Sequence, residues 1–435
     1  MSGLHYSRVH RTGTGLQVTS LIVPALFCVL RITITLWLLL RTTSFHFVNG
    51  ELQLFNWKIK TFGIFLVAVL LTIFITYLKF PAVISTPRNL VEIMNEVPSI
   101  VVFIQYTTAT MTALFFVNTA NIDIITKLAK IDTILQVEKS SDFYKKSRIQ
   151  TYRYLSVVCV SHMINSILDW MATEEITMKD LSLFLIYLIQ KLEIMAFCKY
   201  ISMVISRLRI INNYLKISIQ DQEKKNIIVF TVSDRKIEKV EEFNFIELTS
   251  ESNTRIRDLA KTYDIIGKVC CMINKVFNYQ IFMTLVSTFT YVVITIWTSL
   301  YYYKSPETCS GILVTMAIWC FSAIYTIAVM SIACERLLLV RNETKVLINK
   351  IIMNYDLPKT MRVQAKAFME LVEAWPLRIY VYDMFSVDIT LMLKFISVAT
   401  TYLIILEINL SVSMLSSMDG SSDSRTYKNI QDGIF

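Results

Sequence analysis

Glycine and proline are scarce, at 9 and 7 in 435 residues. Transporters built on broken helices need Gly- or Pro-interrupted segments near the bilayer midplane. Here only Gly63 and Gly311 lie in or beside a long apolar run, and the prolines other than Pro24 fall at run ends or in loops. No repeat relates the two halves, so continuous helices are expected and a solute transporter is disfavoured. Charge is also low, at 18% against 54% hydrophobic residues, where a soluble domain usually carries about 25%. Histidine is limited to His5, His10, His46 and His162, far apart in the chain. With no H-x-x-x-H pair, no G-x-S-x-G and no phosphate-cradling glycine loop, no enzyme is expected, and no cofactor or metal. The vicinal Cys270-Cys271 lacks a C-x-x-C spacing or a nearby histidine, so it reads as two helix thiols. No basic n-region leads into a short apolar run with a small-residue cleavage site, so no cleaved signal peptide is expected.

What the chain has is length of apolar sequence. A helix crosses the hydrocarbon layer with about 20 mostly apolar residues. Runs of that order occur at Thr61–Phe80, Val97–Asn118, Tyr152–Met171, Leu181–Ser206, Tyr279–Tyr303, Gly311–Cys334 and Met384–Leu410. An all-α polytopic membrane protein with seven transmembrane helices follows. Ser20–Leu40 carries Arg31 at its centre, which costs about 2.5–3.5 kcal/mol on insertion scales. It reads as re-entrant or interfacial, the alternative being an eighth span.

Orientation follows from Lys and Arg, which collect on the cytoplasmic side. Of the 43, 33 fall in 1–60, 119–151, 207–278 and 333–383. Five fall on the opposite side: Arg88, Lys179, Lys304, Arg425 and Lys428. The N-terminus is therefore inside and the C-terminus outside. The expected organisation is a cytoplasmic segment 1–60, spans one to four in 61–206, a cytoplasmic helical anchor in 207–278, and spans five and six in 279–334. Cytoplasmic helices in 335–383, a last span in 384–410 and an external tail 411–435 complete it. The 207–278 segment sets 13 basic against 10 acidic residues, so it is no lipid-binding basic patch but long helical extensions of the flanking spans. Only Asp221–Lys236 reads as a flexible connection.

Ionisable groups inside a bilayer are expensive and each calls for a role. His162 and Asp169, seven apart on the third span, share a face with Asn165 and Ser166. Gln190, Lys191, Glu193 and Lys199 occupy the fourth. One reading is a small-molecule pocket at the outer ends of the spans, formed by Tyr106, His162, Asp169, Trp170 and Trp297, with Tyr187, Tyr291, Trp319 and Tyr325 as further aromatics. The other is interhelical hydrogen bonding and ion pairing, worth about 0.6 kcal/mol per bond. On the last span Thr390, Lys394, Ser397, Thr401 and Ile408 fall within about 40° of a common line at 100° per residue. Such a stripe suits a water-filled pore made by several copies, or packing against a neighbour.

Thr401-Tyr402-Leu403-Ile404-Ile405-Leu406 resembles the start of the insect gustatory receptor signature: Thr-Tyr, five hydrophobic residues, then Gln-Phe. Phe385-Ser386-Val387-Asp388 resembles the family's Phe-x-x-Asp lead-in, and Ile131-Asp132-Thr133-Ile134-Leu135 and the Pro24 segment are similar to its other features. The signature ends differently here, with Glu407, Ile408 and Asn409 in place of the fifth hydrophobic residue, Gln and Phe. The resemblance implies a ligand-gated, non-selective cation channel of the plasma membrane of chemosensory neurons. It implies a homo- or hetero-tetramer of related subunits, opened by a small tastant, with Ile408 and Asn409 at the gate and Glu407 beside it. The altered signature favours a divergent receptor for bitter or plant-derived compounds over a sugar receptor. Membrane lipid is the other partner, and no nucleic acid is expected. A G-protein-coupled receptor would need the opposite orientation, and its Asp-Arg-Tyr and Asn-Pro-x-x-Tyr motifs are absent.

Overall fold

The computed structural model describes residues 45–48, 51–54, 57–77, 90–115, 118–137, 141–172, 178–231, 245–303, 310–405 and 408. The segment Ser20–Leu40, the tail 411–435, and Glu407 and Asn409 lie outside these residues. A two-stranded antiparallel hairpin, β1 (Phe45–Val48) and β2 (Glu51–Leu54), precedes the first helix. Helices α1 (Trp57–Tyr77), α2 (Leu90–Phe115), α3 (Asn118–Ile134) and α4 (Ser141–Ala172) follow. Then come three long helices, α5 (Met178–Thr231), α6 (Phe245–Tyr303) and α7 (Ser310–Met353). Helix α8 (Lys359–Ala374), a hairpin of β3 (Tyr380–Val381) and β4 (Phe385–Ser386), and α9 (Ile389–Ile405) close the described chain.

Seven of these helices cross the membrane: α1, α2, α4, α5, α6, α7 and α9. The N-terminus is inside and the C-terminus outside. Long continuous apolar stretches lie within Asp180–Ile219, Arg255–Ser299 and Val314–Met353, with shorter ones at Val67–Thr76 and Ile389–Ile405. Helix α4 is less apolar in the mean because its first turns, 141–151, are polar and its span keeps a polar inward face. Val157, Val160, Met163, Ile164, Ile167 and Leu168 are exposed, while His162 and Ser166 are buried. The 3.6-residue period of the sequence sorts the two sets onto opposite faces.

Below the bilayer α5, α6 and α7 continue as one packed unit with α3 and α8. Its core runs from Ile124 and Leu128 through Phe197, Ile201, Leu208, Tyr263 and Ile273 to Phe368 and Val372. Helix α5 extends through Asp221 to Thr231, further than the flexible connection expected at Asp221–Lys236. That stretch is rich in helix-forming Gln, Glu and Lys and has no Gly or Pro to stop it. A second, smaller core joins α1, α2 and α5 around Leu70, Phe74, Phe103, Tyr106 and Ile189.

Polar pairs fix the register of the cytoplasmic unit. Asp132 of α3 and Arg207 of α5 form an ion pair at 2.5 Å with both side chains at 1% exposure or less. The Tyr144 hydroxyl donates to the same carboxylate at 2.7 Å, and Arg207 also donates to the Met203 carbonyl at 2.9 Å. Between α5 and α7, Asn212 donates to the Val340 carbonyl and Glu343, and accepts from Thr344. The hydrogen bond from Lys216 holds the Glu343 carboxyl below its usual range. Close approach of α6 to the α8–β3 connection requires Gly267, where a Cβ would lie 2.5 Å from the Trp375 ring.

The β3–β4 hairpin carries the chain from the anchor back into the membrane. Its turn places Tyr382 and Asp383 at positive φ, 47° and 59°. Asn274 and Asn278 of α6 accept from the backbone N–H of Tyr380 and Tyr382 at 3.2 and 2.9 Å. Asp388 then caps α9, accepting from the backbone N–H of Thr390 at 3.0 Å and of Leu391 at 3.3 Å. The Thr390 and Ser386 hydroxyls donate to the same carboxylate. The Phe-x-x-Asp lead-in is thus a strand followed by a helix cap.

Candidate functional site: an outer cavity and the last helix

A cavity of about 360 Å³ opens between the outer ends of α2, α4, α5, α6 and α7. Each helix contributes through its position in depth. Asp169 and Trp170 end α4, Asp180 and Phe184 begin α5, Tyr291 and Thr295 belong to the outer third of α6, and Trp319 to the start of α7. Pro98 of α2 also lines it. This proline lies inside a helix rather than at a run end as the sequence suggested. It removes the N–H that would bond the Met94 carbonyl, a defect that neighbouring helices tolerate in membranes.

Rings line it in two groups. Trp170 and Phe184 have centroids 5.8 Å apart, Tyr187 and Trp319 5.6 Å, and Tyr187 and Tyr291 6.5 Å. The last three also line a smaller space of about 40 Å³ beneath, so they partition the two.

That deeper layer is polar. Gln190 of α5 donates to Gln105 of α2 and to Ser287 of α6, both at 3.0 Å. Gln105 donates in turn to Thr284 at 3.0 Å. Lys191 donates to Ser322 at 3.0 Å, lies 3.3 Å from His162 Nδ1, and places its ammonium 5.2 Å from the Trp319 ring centroid. Every one of these bonds joins different helices, which is how costly polar groups are carried inside a bilayer.

Of the five residues that sequence placed together, Asp169 and Trp170 line the outer cavity. His162 sits behind the wall, fully buried, stacked on Phe184 at 4.7 Å and bonded through Nε2 to the Phe184 carbonyl. Tyr106 belongs to the α1–α2–α5 core, and Trp297 is half-buried on α6 away from the lining. Asp180 and Phe184 were not singled out. The signal available was their place in the first turns of an outer helix start, one acidic and one aromatic.

Helix α9 stands apart from this bundle. Its attachment is one stripe: Phe395 and Tyr402 meet Phe289 of α6 edge-on at 6.0 and 5.6 Å, and Ala399 between them is buried. Lys394, Ser397, Thr401 and Ile408 are exposed in the single chain. At 100° per residue, Ser397 and Thr401 lie about 160° from Ala399, on the face turned away from the subunit. Phe289 and Tyr291, two residues apart, occupy opposite faces of α6, so the same helix touches the cavity with one side and α9 with the other.

No curated protein matches the chain in sequence. Among solved structures, the insect olfactory receptor OR5 from Machilis hrabei in complex with eugenol superposes with a TM-score of 0.59 at 12% identity, covering 87% of this chain and 97% of that one. The structure titled for OR5 alone gives a TM-score of 0.57 at 13% identity, covering 88% and 97%. These likenesses establish the fold. The model of the 7tm chemosensory receptor family matches residues 6–406, and the chain belongs to that family of receptors.

Proposed function

We propose that the chain is a gustatory receptor working as a ligand-gated cation channel, opened by a small organic molecule bound in the outer cavity. Four copies would place α9 around a common axis, with Lys394, Ser397 and Thr401 lining a wet conduit and Ile408 forming an apolar constriction. Glu407 and Asn409 would flank that constriction, as the family resemblance implies. The observation that carries this reading is the placement of α6. Its Tyr291 face lines the cavity and its Phe289 face holds the only ring contacts that α9 makes among the described residues.

A ligand that binds one arrangement of the Tyr187–Tyr291–Trp319 partition better than another shifts α6, and α9 follows through Phe289. The shift is bounded by the ligand's differential affinity for the two arrangements. The Gln105–Gln190–Ser287 bonds tie α2, α5 and α6 together at the level just below, so the change has a stiff element to act on. The eugenol complex of the OR5 receptor supports a small organic ligand. The signature-like Thr401-Tyr402 pair supports a gustatory assignment, and aromatic walls favour a ring-bearing plant compound over a sugar. Plasma-membrane placement in chemosensory neurons follows from that role.

The experiment is recording of currents from cells expressing this chain alone, challenged with a panel of tastants. A ligand-evoked cation current is expected. Phe289→Ala should leave ligand binding to the purified protein within about twofold while lowering the maximal current at least tenfold. Loss of binding and current together would contradict the coupling, and silence to every tastant with normal surface abundance would contradict the homomeric channel.

A further inference from the structure

The outward stripe of α4 changes character at its cytoplasmic end. Val160, Met163, Ile164 and Ile167 are exposed along the span. Nearer the cytoplasm Lys145, Lys146, Arg148 and Arg153 are exposed as well. At 100° per residue, Lys145, Lys146 and Arg153 fall in the same arc of about 100° as the four apolar residues, with Arg148 at its edge. Ile149 and Tyr152 stand among them, 42% and 43% exposed. At 1.5 Å per residue the basic cluster covers about 12 Å of the helix axis and ends about 10 Å short of Val160. It therefore brackets the point where the helix enters hydrocarbon, the depth at which phospholipid headgroups lie.

None of the four basic side chains has an ion-pair partner among the described residues. Elsewhere on this side of the membrane Lys216, Lys261, Lys268 and Lys345 each lean on a carboxylate. The acids of the neighbourhood do not cancel the cluster. Asp142 precedes it in α4, and Glu138 is offset by the adjacent Lys139. Helix α4 packs chiefly against α5 and α7. The first brings Glu193, buried and already engaged, and Lys199, bonded to Ser147. The second brings Glu335 and the exposed Arg336. From α3 come the self-neutral pair of Asp132 with Arg207, and Asp123 against Lys127 and Lys130. With all of these counted, the face stays positive.

We infer that this face of α4 holds an anionic phospholipid of the cytoplasmic leaflet. Its phosphate lies against Lys145, Lys146 and Arg153, and its acyl chains lie along Val160, Met163, Ile164 and Ile167. The apolar stripe continuous with the cluster selects a lipid over a soluble phosphate, because only a lipid fills both parts. Long Lys and Arg stems reach to headgroup level while their own methylenes stay against the helix. Each basic residue at an anionic membrane surface strengthens attachment about fivefold, so three acting together give about a hundredfold.

The test is native mass spectrometry of the purified full chain, released from detergent after equilibration with equal amounts of dioleoyl-phosphatidylserine and dioleoyl-phosphatidylcholine. The two lipids share their chains and differ in net charge. The serine lipid should be retained at least tenfold over the choline lipid, and excess glycerophosphoserine, the soluble headgroup, should not displace it. Triple replacement Lys145→Gln, Lys146→Gln and Arg153→Gln should bring the preference below about threefold. Triple replacement Lys350→Gln, Lys359→Gln and Lys366→Gln removes equal charge from exposed sites on α7 and α8, and should leave the preference intact. The competition on the unaltered chain decides the matter even if the α4 variant does not fold. Equal retention of the two lipids would overturn the inference. So would displacement by glycerophosphoserine, which marks a site for free phosphate, or equal loss in both triple variants, which marks attraction by net charge alone.

Discussion

Replacing Asp132 by alanine removes the carboxylate that neutralises Arg207 inside the cytoplasmic unit. Arg207 is 1% exposed and Asp132 0%, so water cannot take the carboxylate's place without opening the packing of α3 against α5. The guanidinium would keep its bond to the Met203 carbonyl and its position 5.8 Å from the Phe143 ring centroid, neither of which supplies a negative charge. Removing one partner of a buried pair costs about 3–5 kcal/mol, because it strands the other charge. About 3 kcal/mol is more than a hundredfold in a folding equilibrium. Asp132→Asn should cost less, since an amide oxygen still accepts a hydrogen bond. Tyr144→Phe deletes one bond to a charged acceptor and should cost about 1.5–3 kcal/mol. The pair Asp132→Leu with Arg207→Met, apolar and of similar bulk, should recover most of the loss. The assay is melting of a fluorescent fusion in detergent, read by size-exclusion elution. Two results would refute the reasoning: an Asp132→Ala protein that melts with the parent, or a double replacement as damaging as the single one.

Gly267→Ala should drive a Cβ into the Trp375 ring, whose carbons lie 2.5 Å away, and cost about 1–3 kcal/mol in melting. Shrinking the obstacle with Trp375→Leu should make the glycine replacement nearly neutral, although it also removes the Trp375 bond to Asp264. Asp388→Ala should cost about 1 kcal/mol by uncapping α9, with faster amide exchange at Thr390 and Leu391 and unchanged exchange in α8. The ion pair of Lys216 with Glu343 lowers that carboxyl, so its contribution is present at neutral pH and lost as pH falls through the lowered value. Both side chains are more than 40% exposed, so Glu343→Gln should change melting at pH 7 by less than about 1 kcal/mol.

Span number, orientation and the continuity of the helices were legible because each is a one-dimensional property. Run length sets the spans, and the distribution of Lys and Arg sets which side they face. The face that α4 turns inward was legible from the seven-residue spacing of His162 and Asp169. Which helices meet at that face was not. His162 and Asp169 share a face, yet two turns of depth separate a residue stacked behind Phe184 from one lining the cavity. Trp297 has the right depth on α6 but not the face that Tyr291 and Thr295 present. Tyr106 fails for the same reason on α2, turned to α1 and α5. Periodicity gives a direction around each axis, and only packing says what lies in that direction.

In the sequence Asp132 is one residue of the family-like segment Ile131–Leu135. Its partner, 75 residues away on another helix, carries no local signal. The hairpin at Tyr380–Ser386 was also hidden, since strands of two residues leave no alternating pattern to read.

The central claim is that α9 lines a gated pore with the face turned away from its own subunit. Single cysteines along 394–408, probed with a water-soluble thiol reagent during ligand-evoked opening, test it most directly. Modification at Ser397, Thr401 and Ile408 should block the current, while Phe395 and Ala399, packed against α6, should be silent. Block at Phe395 or Ala399 with none at Ser397 and Thr401, or no block at any position during a robust current, would contradict it.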